Sequence, residues 1–395
     1  MTTDRHIVFD PVAVSDGRIA AIATERPADD SEQRTISISF ELSEPLRPHN
    51  DLVALALSTL CGRRYKSIHF GLPVSDRVVD GIGRFSLAAV TAAGNLSPVS
   101  IEERSGLTLN FSGGFDSLAA RCLLPEGTNL VSMDFGGRFA RENKFFRRFE
   151  PFTVTTNLVE TPLRTNSWSF MGIASILTAS HFATRYQCFG SILEAGPENF
   201  AATAATVGSR TEVQPFSSCG IDTLPIVRGL TEVGTLLVLA RYLPDLIGPS
   251  LLSLASPGEE KLYRKYLLAR SIEDRRGIDL GLPVVDPPGR PPFRFGQSLA
   301  ADFLSVYLAR FAGQEAVERT IAHLPQEVID LSRTLELRFY DRFNPSFISA
   351  VPASILGRVV ERLADAGIVP YDESDWREFA LVRDMLARHH AALVA

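Results

Sequence analysis

The sequence predicts an α/β protein: a parallel sheet with helices on both faces, preceded by a small α+β module and followed by a helical region. Three observations predict it. Short apolar runs alternate with helical stretches from about residue 106 to 255, the pattern of a parallel sheet with helical crossovers. Before that, the run from Thr35 to Leu42 alternates with period two, as a half-buried strand does. After the prolines 283, 287, 288, 291 and 292, which read as a stiff linker, the apolar spacing turns helical. These shifts divide the chain into a module at 1–105, a central α/β domain at 106–282 and a helical region at 283–395.

In the module, Asn50 is placed to cap a helix to about Leu60, Ser67 to Phe70 reads as a strand, and Ser75 to Ile82 as a second helix. The central domain opens with the apolar strand Thr108 to Phe111, a glycine loop, and a helix that Pro125 stops. Asn129 to Phe135 is its second strand, Phe139 to Phe149 a polar helix and Phe152 to Thr156 the third strand. A small-residue helix from Phe170 to Thr184 and a fourth strand from Gln187 to Ile192 follow. In the last region, helical periodicity covers Leu299 to Phe311, Glu315 to His323, Pro352 to Ala366 and Asp375 to Leu393.

The bulk properties narrow the function. With 395 residues and 45% hydrophobic content, the chain can bury a sizeable core. Its 40 basic against 46 acidic residues give a net charge of −6, which argues against a dominant nucleic-acid surface. No apolar run nears the roughly 18 residues that span a bilayer, and the start lacks a signal-peptide pattern, so a cytoplasmic protein is expected. The four cysteines form no CxxC pair and read as reduced, buried thiols. Homo-oligomer formation stays open.

The sharpest motif is Ser112, Gly113, Gly114, Phe115, Asp116 and Ser117, set between the first central strand and its helix. Two glycines let the backbone turn tightly and bring peptide N–H groups close to an anion without Cβ obstruction. The helix that follows aims its positive end the same way, and Ser112 and Ser117 add hydroxyl donors. Asp116 carries the same charge as a phosphate, so its expected role is to hold Mg²⁺ or orient a loop donor.

This strand–SGGFDS–helix unit resembles the PP-loop, or N-type ATP pyrophosphatase, superfamily, which includes GMP, asparagine and argininosuccinate synthetases, deazaguanine nitrile synthases and tRNA thiolases. The resemblance covers about 150 residues and implies ATP with Mg²⁺ on the loop, adenylation of a substrate oxygen and displacement of AMP. It places the adenine edge at Asp134 and Phe135. The stretch Leu224 to Thr235 resembles a segment of the deazaguanine branch, with Glu232 roughly where that branch has lysine. The layout is also similar to the ATP-dependent glutamate epimerases of UDP-muramoyl peptides, in which Ser191 and Glu194 have counterparts but the cysteine knuckle does not. A small-molecule or peptide-precursor substrate, amidated or epimerised after adenylation, is the implied acceptor.

Further candidates each have a plainer reading. Lys261, Arg264 and Lys265, within one helical turn, suit ATP phosphates or a substrate carboxylate, or else form a solvated face paired with Glu259 and Glu260. Glu194, Glu198 and Asn199 follow the fourth strand, where substrate binding competes with a surface loop. Cys219 would serve a sulfur-inserting enzyme but reads better as a buried thiol, and His181 as a satisfied core residue. A module that senses ATP without turning it over is the alternative outside enzymology.

Overall fold

The computed structural model describes residues 5–27, 33–101, 104–208 and 212–394. The protein is α/β, with a large, mostly parallel sheet and many helices. Two compact units interleave along the chain: residues 1–112, 127–188 and 210–224 form the first, and 113–126, 189–209 and 225–395 the second.

The first unit carries the sheet. Its strands are β1 (Arg5–Ser15), β2 (Arg18–Pro27), β3 (Arg34–Leu42), β4 (Ser67–Pro73), β5 (Ala89–Gly94), β6 (Gly106–Asn110), β7 (Asn129–Asp134), β8 (Phe152–Thr156), β9 (Thr184–Phe189) and β10 (Asp222–Leu224). Among the described residues they form one sheet in the order β10-β9-β6-β7-β8-β3-β2-β1-β4-β5. Three strands of the N-terminal stretch make an antiparallel meander, β1-β2-β3. It joins the parallel part where Phe40 to Leu42 pair antiparallel with Val154 to Thr156. Residues 1–105, read from sequence as a separate module, thus share a sheet with the central strands. Helices α1 (Asn50–Ser58) and α2 (Asp76–Ser86) also belong to this unit, and His49, one residue before the expected Asn50, caps α1.

Around β6 the order β8-β7-β6-β9-β10 is 3-2-1-4-5 counted along the chain. After two strands, β7 and β8, laid to one side, the chain returns to the other side of β6, which makes the boundary between β6 and β9 a topological switch point. Ligands of open α/β sheets bind beyond the carboxyl ends of strands at such a point. The glycine loop follows β6 directly in the chain.

The second unit is helical. It begins with α3 (Phe115–Leu123); α4 (Ala140–Phe146) and α5 (Ile173–Leu177) lie in the first unit. The rest are α6 (Ala204–Gly208), α7 (Glu232–Tyr242), α8 (Pro244–Leu254), α9 (Glu260–Arg276), α10 (Leu299–Phe311), α11 (Gln314–Glu318), α12 (Gln326–Thr334), α13 (Ala353–Asp365) and α14 (Glu373–Ala387). Helix α3 packs on α7, α8 and α13, and α9 packs on α7 and α8. The interiors of α3 and α7 are built from Leu118, Leu123, Leu236 and Leu239, all fully buried.

Four expectations change. The helix foreseen from Phe170 to Thr184 is a 3₁₀ turn, the short α5 and a further turn, and the fourth strand starts three residues early, at Thr184. His181 falls in that turn with 36% of its side chain exposed, beside Glu44 at 3.8 Å, so it is not a core residue. The small residues around 174–180 pack as tightly in turns as in a helix, and apolar periodicity does not distinguish the two. The helix expected from Glu315 to His323 ends at Glu318, after which Ile321 and Ala322 pair with Phe293 and Arg294.

Candidate functional site

The loop is built as its residue types require. Gly113 has φ +76°, the left-handed region that costs other residues about 1 kcal/mol or more. Gly114 (φ −73°, ψ 164°) is the N-cap of α3 and has no side chain with which to cap it. The Ser117 hydroxyl donates back to the Gly114 carbonyl at 3.0 Å. Ser112, exposed, ends the first segment of the first unit, and the residues after it open the second unit.

Two residues hold this turn from within the second unit. Gly190 follows β9 directly, and a Cβ on it would lie 2.6 Å from the Ser117 nitrogen and 3.1 Å from the Asp116 Cβ. Only glycine permits that approach of backbone to backbone. From α8, the Ser250 hydroxyl donates to the Gly113 carbonyl at 2.8 Å.

Asp116, on the first turn of α3, is the half-buried end of an ionic cluster. One carboxylate oxygen lies 3.1 Å from the Thr235 hydroxyl and the other 3.9 Å from Lys265 Nζ. Lys265 is ion-paired with Glu232 and sits over the Phe115 ring, 5.0 Å from its centroid. Arg264 bridges Glu232 at 2.5 Å and Glu260 at 2.8 Å. Glu232 in turn receives its place from Glu194, whose Oε1 accepts the Glu232 backbone N–H at 2.8 Å. The cluster therefore ties α3, α7 and α9 together beneath the loop.

Burial sets the protonation of this cluster. It pushes the Asp116 carboxyl up, helped by Glu232 and opposed by Lys265 and Thr235. Burial also pushes Glu232 up, but Lys265 and Arg264 outweigh it and bring Glu232 down to about 2. For Lys265, burial disfavours the ammonium, while Asp116 and Glu232 more than restore it. Glu194 has no such cation. Burial, then Glu232, pushes it up to about 8, so it holds its proton at neutral pH.

The expected site residues are thus partly brought together. Asp116, Ser117, Lys265, Arg264 and Glu194 belong to one neighbourhood of the second unit. Lys261, expected to act with its two neighbours, is exposed on α9. Asn199 is buried and donates to the Ile192 and Leu193 carbonyls at 3.2 and 3.1 Å, folding the loop that presents Glu194. Ser191 is half-buried at the start of that loop. Asp134 and Phe135 lie in the first unit. The Asp134 carboxylate accepts from the Gly136 N–H at 2.9 Å, from Asn143 and from Arg147, which shapes the turn after β7. Thr235, Gly190 and Ser250 were not foreseen. The sequence reading places Gly190 inside the fourth strand, whereas that strand ends at Phe189.

For Mg²⁺, Asp116 is a hard oxygen donor with 25% of its side chain exposed, which suits an ion held by one carboxylate and nucleotide oxygens. Among the described residues no group of three or more His, Cys, Asp or Glu side chains forms a self-sufficient metal site. The thiol chemistry fares differently. Cys219 is buried, donates to the Phe216 carbonyl at 3.1 Å, and is pushed up to about 12 by burial against Arg104 and Arg77. Such a thiol is protonated and weakly nucleophilic at neutral pH.

No protein-family model, no curated protein and no solved structure matches the chain. No helix among the described residues is long and apolar enough to cross a membrane.

Proposed function

We propose that the protein is a cytoplasmic, ATP-dependent enzyme of the PP-loop kind that forms AMP and pyrophosphate while adenylating a carboxylate or amide oxygen. The observation that carries this reading is the Gly113–Gly114 turn that opens α3 directly after β6 in the chain. Pyrophosphate oxygens would lie at the amino end of α3, where the helix dipole favours negative charge. Asp116 would hold Mg²⁺ there, an ion that neutralises phosphate charge when bound. The acceptor oxygen attacks the α-phosphorus, the α–β bridge bond breaks, and pyrophosphate leaves with the bridging oxygen. A small-molecule or peptide-precursor acceptor, amidated or epimerised next, fits the chain's acidic balance.

One observation favours a second reading, a module that binds ATP without turning it over. Lys265, the buried cation beside Asp116, already faces Glu232, and its neighbour Arg264 faces Glu232 and Glu260. Charge that neutralises carboxylates in the resting protein is less available to a transferring phosphoryl group. Sulfur insertion through Cys219 is the weaker alternative, given its protonated thiol.

The test is product analysis with α-labelled ATP and pooled carboxylate and amide metabolites. The enzyme reading expects AMP with equimolar pyrophosphate from wild type and at least about 100-fold less from Asp116→Ala, the scale of losing an electrostatic catalytic group. ADP as product, or equal AMP from both proteins, overturns it. Binding without any product favours the sensor.

A further inference from the structure

We propose that helix α4 and the turn Trp168–Gly172 form a second site, a surface of the first unit that binds single-stranded nucleic acid. Phosphates pair with Arg138, Lys144 and Arg148, and bases stack on Phe139 and Trp168. The surface lies wholly within residues 127–188 and uses nothing of the glycine loop, so it stands apart from the reading given above.

Charge is the first observation. Residues 138–148 hold five basic side chains, Arg138, Arg141, Lys144, Arg147 and Arg148, against one acid, Glu142. All five are exposed, on a chain whose net charge is −6. Arg138, Arg141, Lys144 and Arg148 recur every three or four residues, which lines them along one side of α4 and its flanking turns. Arg147 turns toward the Asp134 carboxylate at 3.4 Å. Among the described residues no carboxylate pairs with Arg138, Lys144 or Arg148. Two of them lie over rings instead, Arg138 over Phe139 at 4.9 Å and Arg148 over Phe145 at 5.5 Å. Cations without counter-charges are where a phosphate backbone gains most, by releasing the ions condensed on it.

Flat rings beside that row are the second observation. Phe135 packs 5.7 Å from both Phe139 and Phe170, and all three are half-buried. Phe170 belongs to the turn that presents Trp168 and Met171, which are 55% and 38% exposed. An added Cβ on Gly136 or Gly137 meets no atom within 4 Å, so the approach to these rings is open. Cations that track a backbone next to aromatic faces are the means by which proteins hold single strands without reading sequence. Arginine serves both purposes, because its planar fork pairs with phosphate and stacks on rings. An anionic membrane also takes cations beside apolar groups, but it needs a helix whose apolar face is exposed. In α4 that face, Phe145 and Phe146, is buried in the core.

The experiment is fluorescence anisotropy of the full-length protein with a labelled oligothymidylate of about 16 nucleotides, the upper end of what one such surface engages. Wild type should bind it, with log affinity falling linearly against log salt by about 0.7 for each phosphate contact. Combining Arg138→Ala, Lys144→Ala and Arg148→Ala should lower that slope by about 2 and weaken binding at least about 10-fold at low salt. Trp168→Ala should leave the slope unchanged and weaken binding at least about 5-fold, the lower end for one stacked base. Should W168A not fold, Phe139→Leu, which removes a flat ring and keeps the bulk, makes the same comparison. Absence of binding by wild type at low salt overturns the proposal, as does a triple variant with wild-type affinity and slope. A duplex of equal length that binds as tightly, with no effect of the ring substitutions, overturns the single-strand assignment. Capture by phosphatidylserine vesicles in place of the oligonucleotide makes the surface a membrane contact and overturns it too.

Discussion

Lys265 Nζ stands 3.9 Å from an Asp116 carboxylate oxygen while being ion-paired with Glu232, so one buried ammonium serves carboxylates from two helices. It is 6% exposed and its partner Glu232 4% exposed, so bulk solvent has little access to that pair. Breaking a buried pair from one side leaves an uncompensated charge, which costs more than the pair contributes. Lys265→Met should therefore destabilise the protein by about 3 kcal/mol in urea unfolding. A change below about 0.5 kcal/mol, the size seen for exposed pairs, would show that the cluster is solvated.

Glu194 predicts an unusual pH dependence. Folded, it holds its proton up to about 8, against an ordinary 4.5 for the unfolded chain. The stability this group contributes is full below the unfolded value and is lost as pH rises through the folded one. Glu194→Gln keeps an oxygen for the Glu232 N–H and removes the titration. Relative to wild type, E194Q should gain on the order of 3 kcal/mol between pH 5 and pH 8.5. Parallel stability curves for the two proteins would mean that Glu194 is ionised throughout.

Gly190 tests how closely the strand end meets the loop. The atoms that an added Cβ would strike belong to the Asp116–Ser117 backbone and the Asp116 Cβ, none at the end of a flexible side chain. Gly190→Ala should cost about 1–3 kcal/mol, the range for overpacking, and weaken magnesium ATP binding at least 10-fold. Unchanged affinity with reduced stability would separate this contact from the anion site.

These residues also mark how far the sequence could be read. The loop and α3 were legible because their determinants are local: a four-residue apolar strand, two adjacent glycines and the stop at Pro125. Helix α10 was legible for the same reason, from Leu299 to Phe311. The basic turn of α9 was read as one patch because Lys261, Arg264 and Lys265 share a face by spacing. Spacing does not say which edge of a face meets α7, and the structure exposes Lys261 while burying Lys265. Ser250 and Gly190 depend on partners 137 and 73 residues away, beyond any periodicity. The union of N-terminal and central strands was hidden similarly, since Phe40 pairs with Thr156.

Calorimetric titration of magnesium ATP into the wild-type protein and Gly113→Ala addresses the loop most directly. Gly113 lies at φ +76°, where an alanine is strained, so the variant should bind at least 10-fold more weakly. The account predicts saturable heat from wild type, abolished by prior addition of pyrophosphate. Absence of heat, or binding indifferent to both pyrophosphate and the Gly113 substitution, would contradict it.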